Sequence, residues 1–473
     1  MSRVWSVMDI GKRAMMNSQN ALQTVSHNVA NKDTEGYSRQ RVELKASPPS
    51  GLRLRYGQGA YTSAITRTNN AHLEKQIAGE MNKLATATAQ GAALGRLEDV
   101  MNEQQESGVH KKIGNFFNSW RELSNNPENF ALRQQVKDSA GEMTGAFKDL
   151  NENLGGILGD ADFEIAVKIG EVNEITREIA DLNQKIQQVE LHAREANDER
   201  DRRDLLIKKL SGLVNISHAE GDGGIVTITA GRTAVLVSGY QQRELFVNKV
   251  ADEEGKNPSM RVFYRSTKKG TPDDVTNQFT SGALGGLISV RDGVVGDLMN
   301  KVNLMGYTIV SEVNEAHRAG FDRYSGSGGD FFIMPDSIEN FSNSIDINPY
   351  IRKDVGRIAA AAATHSPGDN RVANIISMLQ YKKVFSDGTS SLDDFYGAMV
   401  GEVGILAAKA NGGIEAIGSN LHNLEKLRES ISGVSLDEEA AKMIEYQKAY
   451  DASARLIRTA DEMMETVLSL KRL

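Results

Sequence analysis

Cysteine is absent from the 473-residue sequence. Disulfide bridges, thiol catalysis and cysteine-based metal sites are therefore excluded. Aromatic residues make up only 6% of the chain, and the hydrophobic fraction is 40%. Such a composition is typical of an elongated helical protein rather than of one large compact core.

Long apolar runs are also missing. No stretch approaches the roughly 18 apolar residues of a membrane-spanning helix. The opening segment has neither the apolar region nor the small-residue cleavage site of a secretory signal, so we expect no cleaved signal peptide. The chain carries 55 basic against 63 acidic side chains, a net charge of −8, and so lacks the basic field that nucleic-acid binding requires.

Apolar residues recur at alternating steps of three and four near both ends of the chain. The N-terminal stripe contains Val4, Met8, Met15, Leu22, Val25 and Val29, and the C-terminal stripe contains Leu436, Met443, Tyr450, Ala454, Ile457, Met464 and Leu468. Such stripes indicate helices that pack lengthwise on another helix. The partner helix could belong to the same chain or to another subunit, and we predict that these residues form an assembly interface.

The middle of the chain changes its periodicity. A further stripe predicts one long helix over residues 160–213, packed lengthwise on another. From about residue 216 the pattern becomes short β-branched or aromatic runs separated by glycines, which predicts a small all-β insert. Helical patterns return over 282–318 and again from about residue 358.

These patterns together predict a mainly α fold. We expect an elongated multi-domain rod of long coiled-coil-like helices formed by paired N- and C-terminal segments, with a small central all-β insert. The predicted domains are a terminal helical domain (1–46 with 431–473), a helical rod domain (47–215, 282–318 and 358–430), a small β-rich outer insert (216–281) and a loop or extended segment attached to the rod (319–357).

The sequence offers no convincing chemical site, so we predict no enzyme activity, no catalytic residues, no cofactor and no metal. The eight histidines form no metal-ligand pair at helical spacing. Gly326–Asp330 lacks the flanks of a phosphate loop, and Asp322 with Asp330 lacks the spacing of a calcium loop. The dense run Arg200–Asp204 balances acids with bases, and we expect it to be an ion-paired helix surface where segments meet.

A motif that follows the N-terminal stripe resembles the signature of the flagellar axial proteins, the rod, hook and hook-associated family. The motif reads Asn28-Val29-Ala30-Asn31 and then Thr34-Glu35-Gly36-Tyr37-Ser38-Arg39-Gln40. Its signature residues are Asn28, Ala30, Asn31, Thr34, Gly36, Tyr37, Arg39 and Gln40. Glu35 stands where this family usually has proline.

Other segments extend the resemblance along nearly the whole chain. Residues 432–441 and 446–455 are similar to the C-terminal motifs of the family. Residues 197–204, and His317 to Asp322 with Gly329 to Phe332, resemble internal motifs of the members that lie at the hook–filament junction. The internal motifs therefore narrow the resemblance to these hook-associated members.

The resemblance implies a structural component of the bacterial flagellum, an adaptor that joins the hook to the filament and is needed for filament assembly, without catalysis. Implied partners are further copies of the chain in a helical or ring assembly, the hook protein, a second hook–filament junction protein and a flagellar export chaperone. Nucleic acid and a membrane span are not expected. The implied location is the extracellular flagellum, reached through the flagellar secretion apparatus without a cleaved signal peptide. The alternative is another flagellar axial protein: a hook, rod or second junction protein.

Overall fold

The computed structural model describes residues 2–48, 57–101, 108–191, 194–251, 259–266, 270–335, 337–366, 368–386 and 388–470. The predicted domain limits at residues 1 and 471–473, and parts of the predicted β insert, lie outside the described residues. The chain separates into two compact units. Unit 1 comprises Met1–Ala85, Lys168–Gly282 and Ala416–Leu473, and unit 2 comprises Thr86–Val167 and Ala283–Glu415. The finer division into four domains stays a prediction.

Helices make up most of the described chain, as the sequence predicted. They are α1 (Ser2–Ala30), α2 (Ala71–Met101), α3 (Val109–Asn125), α4 (Phe130–Glu190), α5 (Asn197–Leu213), α6 (Gly282–Ile288), α7 (Gly296–Arg318), α8 (Phe341–Ser344), α9 (Pro349–Lys353), α10 (Arg371–Met378), α11 (Leu392–Ser432) and α12 (Leu436–Leu470). A π-helical segment over Ser289–Val295 joins α6 to α7. None of the described helices is long and apolar enough to span a membrane.

Unit 2 has only isolated β-bridges among its described residues, whereas the β-sheets lie in unit 1. Its strands are β1 (Gln40–Ala46), β2 (Ala60–Arg67), β3 (Ile216–Glu220), β4 (Val226–Ala230), β5 (Ala234–Ser238), β6 (Gln241–Gln242), β7 (Leu245–Val250), β8 (Ser259–Tyr264) and β9 (Asp273–Asp274). β1 and β2 form an antiparallel hairpin, and the later strands form two small sheets in the orders β3-β4-β5-β6 and β7-β8-β9. The small central β region predicted from the sequence is therefore confirmed.

In unit 1, the N-terminal helix α1 packs along the C-terminal helix α12. A Cβ atom added at Gly11 would lie 2.8 Å from Cγ1 of Ile457, so the α1 backbone closely approaches an α12 side chain. The buried residues of α1 lie on one side of the helix: Gly11, Ser18, Ala21, Thr24, Val25 and Asn28. This arrangement confirms the predicted pairing of the N- and C-terminal segments.

The prediction of one helix over residues 160–213 is wrong. Helix α4 begins thirty residues earlier and ends at Glu190, and a separate helix, α5, begins at Asn197. No proline or glycine marks the break in the sequence. Tertiary contacts hold the new direction instead: Arg200 Nε pairs with Glu190 Oε1 at 2.6 Å, and Asn197 Nδ2 donates to the carbonyl of Ile65 in β2 at 2.6 Å.

In unit 2, an aromatic cluster fills the core between α3, α7 and the segment that follows α7. The cluster consists of four side chains that are at most 2% exposed: Phe116, Trp120, Phe331 and Phe332. The ring centroid of Trp120 lies 6.4 Å from that of Phe116 and 5.6 Å from that of Phe331. The centroids of Phe331 and Phe332 lie 4.8 Å apart. The segment 319–357, predicted as loop or extended, also contains the short helices α8 and α9. Three buried phenylalanines, Phe331, Phe332 and Phe341, thus give this segment a fixed place in the core.

His317 ties the end of α7 to two loops of unit 2. Its Nδ1 lies 2.6 Å from the carbonyl oxygen of Gly329, so it donates, and its Nε2 accepts from the Ala359 N–H at 2.8 Å. These partners require the neutral imidazole, and burial lowers the pKa of His317 to about 4. The buried His317 side chain is therefore a packing residue of unit 2.

Candidate assembly interface

Asn28 is the centre of a buried hydrogen-bond network at the end of α1. Its Oδ1 accepts from the Gln40 N–H at 2.9 Å and from the Tyr37 hydroxyl at 2.8 Å. Its Nδ2 donates to the Gln40 carbonyl at 2.9 Å and to Oε2 of Glu439 in α12 at 3.0 Å. All the hydrogen-bonding capacity of this amide is therefore used. We call Asn28, Tyr37, Arg39, Gln40 and Glu439 the polar clasp.

Ion pairs continue the polar clasp into the first turn of α12. Arg39 Nε lies 3.0 Å from Oε1 of Glu439, and its Nη1 lies 2.8 Å from Oε2 of Glu438. The Glu439 side chain is only 1% exposed, and Lys442 Nζ is a second cation, 3.2 Å from its Oε1. A buried carboxylate with two cationic partners and an amide donor is fully compensated, which fixes the start of α12 against the end of α1.

Helix α5 supports the polar clasp from the other side. Asp201 Oδ2 accepts from the backbone N–H of Ser38 at 2.7 Å, and Arg67 bonds Asp201 at 2.9 Å and Asp204 at 2.7 Å. Gln40 Nε2 donates to Oδ1 of Asp198 at 2.7 Å. Burial, followed by the nearby Asp198, Asp201 and Glu439 carboxylates, raises the pKa of the Tyr37 phenol. The prediction that the Arg200–Asp204 run is ion-paired is confirmed, because Asp201 and Asp204 pair with Arg67 and Arg200 pairs with Glu190.

The Arg200–Asp204 run is more deeply buried than the sequence indicated. Asp201 is 6% exposed, and Arg203 is 1% exposed with its Nη1 donating to the Asn183 side chain at 3.2 Å. Burial raises the pKa of Asp201 and lowers the pKa of Arg203. These two residues belong to the interior of unit 1 rather than to a helix surface, and a charge-rich sequence gave no signal of that.

The remaining signature residues shape the turn between α1 and β1. Asn31 Nδ2 donates to the His27 carbonyl at 3.0 Å, and the Thr34 hydroxyl donates to Asn31 Oδ1 at 3.3 Å. Gly36 has a φ of 84°, a left-handed conformation that favours glycine, and its Cβ position lies 3.1 Å from Cβ of Leu205. Ala30 is exposed at the end of the helix. The signature residues thus form a turn that places Tyr37, Arg39 and Gln40 next to Asn28.

The residues of the two predicted stripes have different environments. Val25 is buried, and Val29, Leu436, Tyr450 and Leu468 are exposed. The others are half-buried: Val4, Met8, Met15, Leu22, Met443, Ala454, Ile457 and Met464. The stripes therefore lie at the edge of the α1–α12 contact, and their role in contacts between subunits stays a prediction.

The contact between α1 and α12 runs one residue away from the predicted stripe at several places. Ala21 is buried in place of Leu22, Asn28 in place of Val29, and Ala460 beside the polar Asp461. Small and polar residues fill the contact, because the helices approach closely at Gly11 and the polar clasp requires Asn28. Several large apolar residues remain exposed beside the contact: Trp5, Val7, Met16, Leu436, Ile444, Tyr450, Met463, Val467 and Leu468.

Unit 1 also contains a cavity of about 610 Å³ between α2, α5 and β3. Three carboxylates line it, and each has a cationic partner: Glu74 with Arg428, Asp204 with Arg67, and Glu220 with Arg200. Each of these carboxylates is therefore held in an ion pair within unit 1. No group of three metal-ligating side chains occurs among the residues that the structure describes.

Comparison with known proteins decides what this architecture is. The sequence profile of the helical domain of the flagellar hook-associated protein FlgK matches residues 94–332, just over half of the chain. The chain belongs to the FlgK family. Profiles of flagellar rod proteins match its two ends: the flagella basal body rod protein over residues 8–37 and the C-terminal part of the FlgEFG rod proteins over residues 428–470. The N-terminal match covers most of α1 and the C-terminal match covers α12.

Relatives of full length agree with the profile. The chain is 27% identical to flagellar hook-associated protein 1 of Bacillus subtilis, over 99% of each chain. It is 22% identical to the Escherichia coli protein of the same name, over 96% of this chain and 97% of that one. The hook junction protein FlgK of Burkholderia pseudomallei has a similar fold, with a TM-score of 0.67 at 13% identity, over 76% of this chain and 100% of that chain.

The FlgK-family chain is thus a structural hook-associated component of the bacterial flagellum, at the junction of hook and filament. The resemblance read from the motifs is confirmed, and the alternative of a hook, rod or second junction protein is not favoured. The polar clasp was not anticipated as a site. Its sequence signals were the N-terminal signature and the C-terminal motif over residues 432–441, which includes Glu439, but neither motif indicated that the two segments meet.

Proposed function

We propose that this protein joins the hook to the filament by assembling with further copies of itself into a section of the flagellar axis. The observation that carries the proposal is the row of large apolar side chains that stay exposed after α1 and α12 have paired. Trp5 and Met16 on α1 are each 54% exposed, and Ile444 on α12 is 59% exposed. Exposed apolar surface of this extent is typical of a protein–protein interface.

The polar clasp gives this interface a defined shape. It fixes the end of α1 to the start of α12, so that two helices far apart in sequence present their exposed apolar residues as one surface. Contacts with neighbouring subunits would bury that surface at about 25 cal/mol per Å² of apolar area. Many such contacts hold a joint without covalent bonds, in keeping with a chain that has no cysteine.

The proposal includes specific partners and a route. The hook protein and a second hook–filament junction protein would adjoin the assembly at its two ends. An export chaperone would cover the exposed apolar residues of α12 before export, because these residues would otherwise promote aggregation. The chain would leave the cell through the flagellar secretion apparatus, without a cleaved signal peptide, and act outside the cell.

The proposal assigns no catalysis to this protein. The ion pairs of the unit 1 cavity support this view, because hydrolysis of a wall polymer needs two carboxyl groups that are free to act on the substrate. A zymogram of the purified chain on cell-wall polymer is the direct check. A cleared band from the purified chain, and also from variants with substitutions at surfaces outside the assembly interface, would contradict a purely structural role.

A deletion strain tests the junction function. We expect bare hooks on the cells and abundant flagellin monomer in the culture medium, because filament subunits would be exported but find no joint. Normal filaments would refute the proposal. Missing hooks without flagellin export would instead place the protein earlier in assembly, as a rod or hook component.

A further inference from the structure

Unit 2 exposes two large apolar side chains on different helices. Phe163 in α4 and Ile405 in α11 are each 70% exposed, more than almost any other large apolar residue of the described chain. Val167, one turn after Phe163, is 43% exposed on the same side of α4. Side chains as apolar and as exposed as these are candidates for a contact with another molecule.

Phe163 and Ile405 lie at the same level of unit 2. Helix α2 passes between their helices: Arg96 Nη2 pairs with Glu164 Oε1 at 2.8 Å, beside Phe163. On α11, Ala410 lies against Gly91 and Gly413 against Ala87, so α11 runs antiparallel to α2. At about 1.5 Å per residue, this register puts Arg96 within one turn of Ile405.

The backbone is accessible around both side chains. Gly397 and Gly401 precede Ile405 at steps of four, and a Cβ atom at either glycine would meet nothing within 4 Å. The same is true of Gly156 and Gly159, which precede Phe163 on α4. Glycine weakens a helix relative to alanine, and packing within the chain does not require it at these positions. We name the two surfaces the α4 face (Gly156, Gly159, Phe163, Val167) and the α11 face (Gly397, Gly401, Ile405, Ala408).

The charges beside the two faces differ in sign once their ion pairs are counted. Asp160 and Glu164, on either side of Phe163, share the single cation Arg96. On α11, Glu402 pairs with Lys301, and the exposed Lys409 follows Ile405 by four residues. A large apolar side chain with a neighbouring acid on one face thus matches a large apolar side chain with a neighbouring base on the other. Opposite charges at the rim of an apolar contact favour one partner and one orientation.

We propose that the α4 face of one copy docks on the α11 face of a second copy. The inference rests on the proposed self-assembly and specifies its contact in unit 2. Because two different faces meet, the contact is head-to-tail, and each subunit retains one free α4 face and one free α11 face. Such a contact continues from subunit to subunit and closes into a ring or advances as a helix. Faces at the same level suit a lateral neighbour.

Cross-linking between introduced cysteines tests this contact without interference, since the chain has none of its own. The double variant Phe163→Cys/Ile405→Cys is expressed in the deletion strain, and isolated flagella are treated with a short bismaleimide cross-linker. We expect a ladder of dimers and higher oligomers of the chain on a denaturing gel. The single variants lose the ladder, because a head-to-tail contact never brings two copies of one residue together.

The matched control is Phe163→Cys/Met378→Cys. Met378 on α10 is 61% exposed and apolar, but it belongs to neither face. A ladder no stronger than in this control, from flagella that contain the normal amount of the chain, would overturn the contact while the junction function stands. A dimer from either single variant would overturn the head-to-tail arrangement. Flagella that lack even the unsubstituted chain would overturn the junction function and the contact together.

Discussion

The polar clasp makes Asn28 the most informative single position of unit 1. The change Asn28→Ala removes four hydrogen bonds, two to the backbone of Gln40 and one each to Tyr37 and Glu439. We expect the contact between the end of α1 and the start of α12 to open far more often than in the parent protein. The helices themselves need not unfold for this, because alanine has a high helix propensity.

The free-energy cost of Asn28→Ala depends on which of the groups bonded to Asn28 can form another hydrogen bond. Tyr37 is half-buried and can turn its hydroxyl to water, and Glu439 keeps Arg39 at 3.0 Å and Lys442 at 3.2 Å. The buried N–H and C=O of Gln40, which is 8% exposed, lose their partner. An orphaned buried group costs about 1–3 kcal/mol, so the pair costs about 3 kcal/mol. At about 1.4 kcal/mol per factor of ten, local opening becomes roughly a hundred times more frequent.

Amide hydrogen exchange read by mass spectrometry measures this local opening directly. Peptides that cover residues 18–30 and 436–446 of the purified full-length chain should lose about a hundredfold protection, and peptides from unit 2 should not change. The matched control is Asn31→Ala, which removes the half-buried bond to the His27 carbonyl. We expect this control to cost less than about 1 kcal/mol.

Two outcomes would refute the reasoning. A loss of protection no larger than in Asn31→Ala would mean that the buried amide contributes nothing beyond a surface bond. Absence of protection at residues 18–30 in the unsubstituted chain would mean that the polar clasp forms only in the assembled flagellum. The exchange measurement would then have to be repeated on assembled flagella.

Three further predictions concern single residues of both units. The pKa of His317 is about 4 in the folded chain and about 6.5 in the unfolded chain, so the unfolded chain binds the proton first as pH falls. The free energy of unfolding of unit 2 should therefore decrease by about 3 kcal/mol between pH 6.5 and pH 4. Urea unfolding should show this decrease in the control His422→Gln but not in His317→Gln. Gly328→Ala puts a Cβ atom 2.0 Å from the His317 carbonyl and should cost about 3 kcal/mol in thermal unfolding, whereas Gly114→Ala, in open space on α3, should not destabilise. Tyr450→Asp, which places a charge on the exposed apolar surface of α12, should reduce the fraction of cells with filaments; Gln447→Asp, also exposed, should not, and equal effects would count against the interface.

Periodicity alone was enough to predict most of the fold. Alternation by three and four requires a helix with one apolar side, whatever lies opposite, and so the terminal helices could be predicted from each end separately. Short β-branched or aromatic runs with intervening glycines likewise predicted the small β insert, in which β4, β5, β7 and β8 lie. These signals are local, because they depend on backbone geometry that repeats within a few residues.

The exact contact between α1 and α12 was beyond such reasoning. Leu22 is more apolar than Ala21, and Val29 more than Asn28, yet in each pair the second residue is the buried one. The approach of the two backbones at Gly11 favours small side chains, and the hydrogen bonds of Asn28 need a partner 411 residues away along the chain. At these positions the apolar pattern therefore predicted the α1–α12 contact only to within one residue.

The break between α4 and α5 is a similar case. The sequence continues its helical stripe through residues 191–196, and the turn depends on bonds to β2 and to the end of α4 that no local pattern contains. The buried state of Asp201 and Arg203 has the same origin. The partners of Asp201 come from the α1–β1 turn and β2, and those of Arg203 come from α4 and from the segment between β3 and β4.

The sequence by itself determined the kinds of element, their order, and the family, because periodicity and short motifs are properties of consecutive residues. Only the tertiary structure decided which polar residues are buried, where α4 ends, and which apolar residues stay outside the α1–α12 contact. The physical reason is that a buried polar group is stable only when every partner is in place. Those partners are brought together by the fold and not by proximity along the chain.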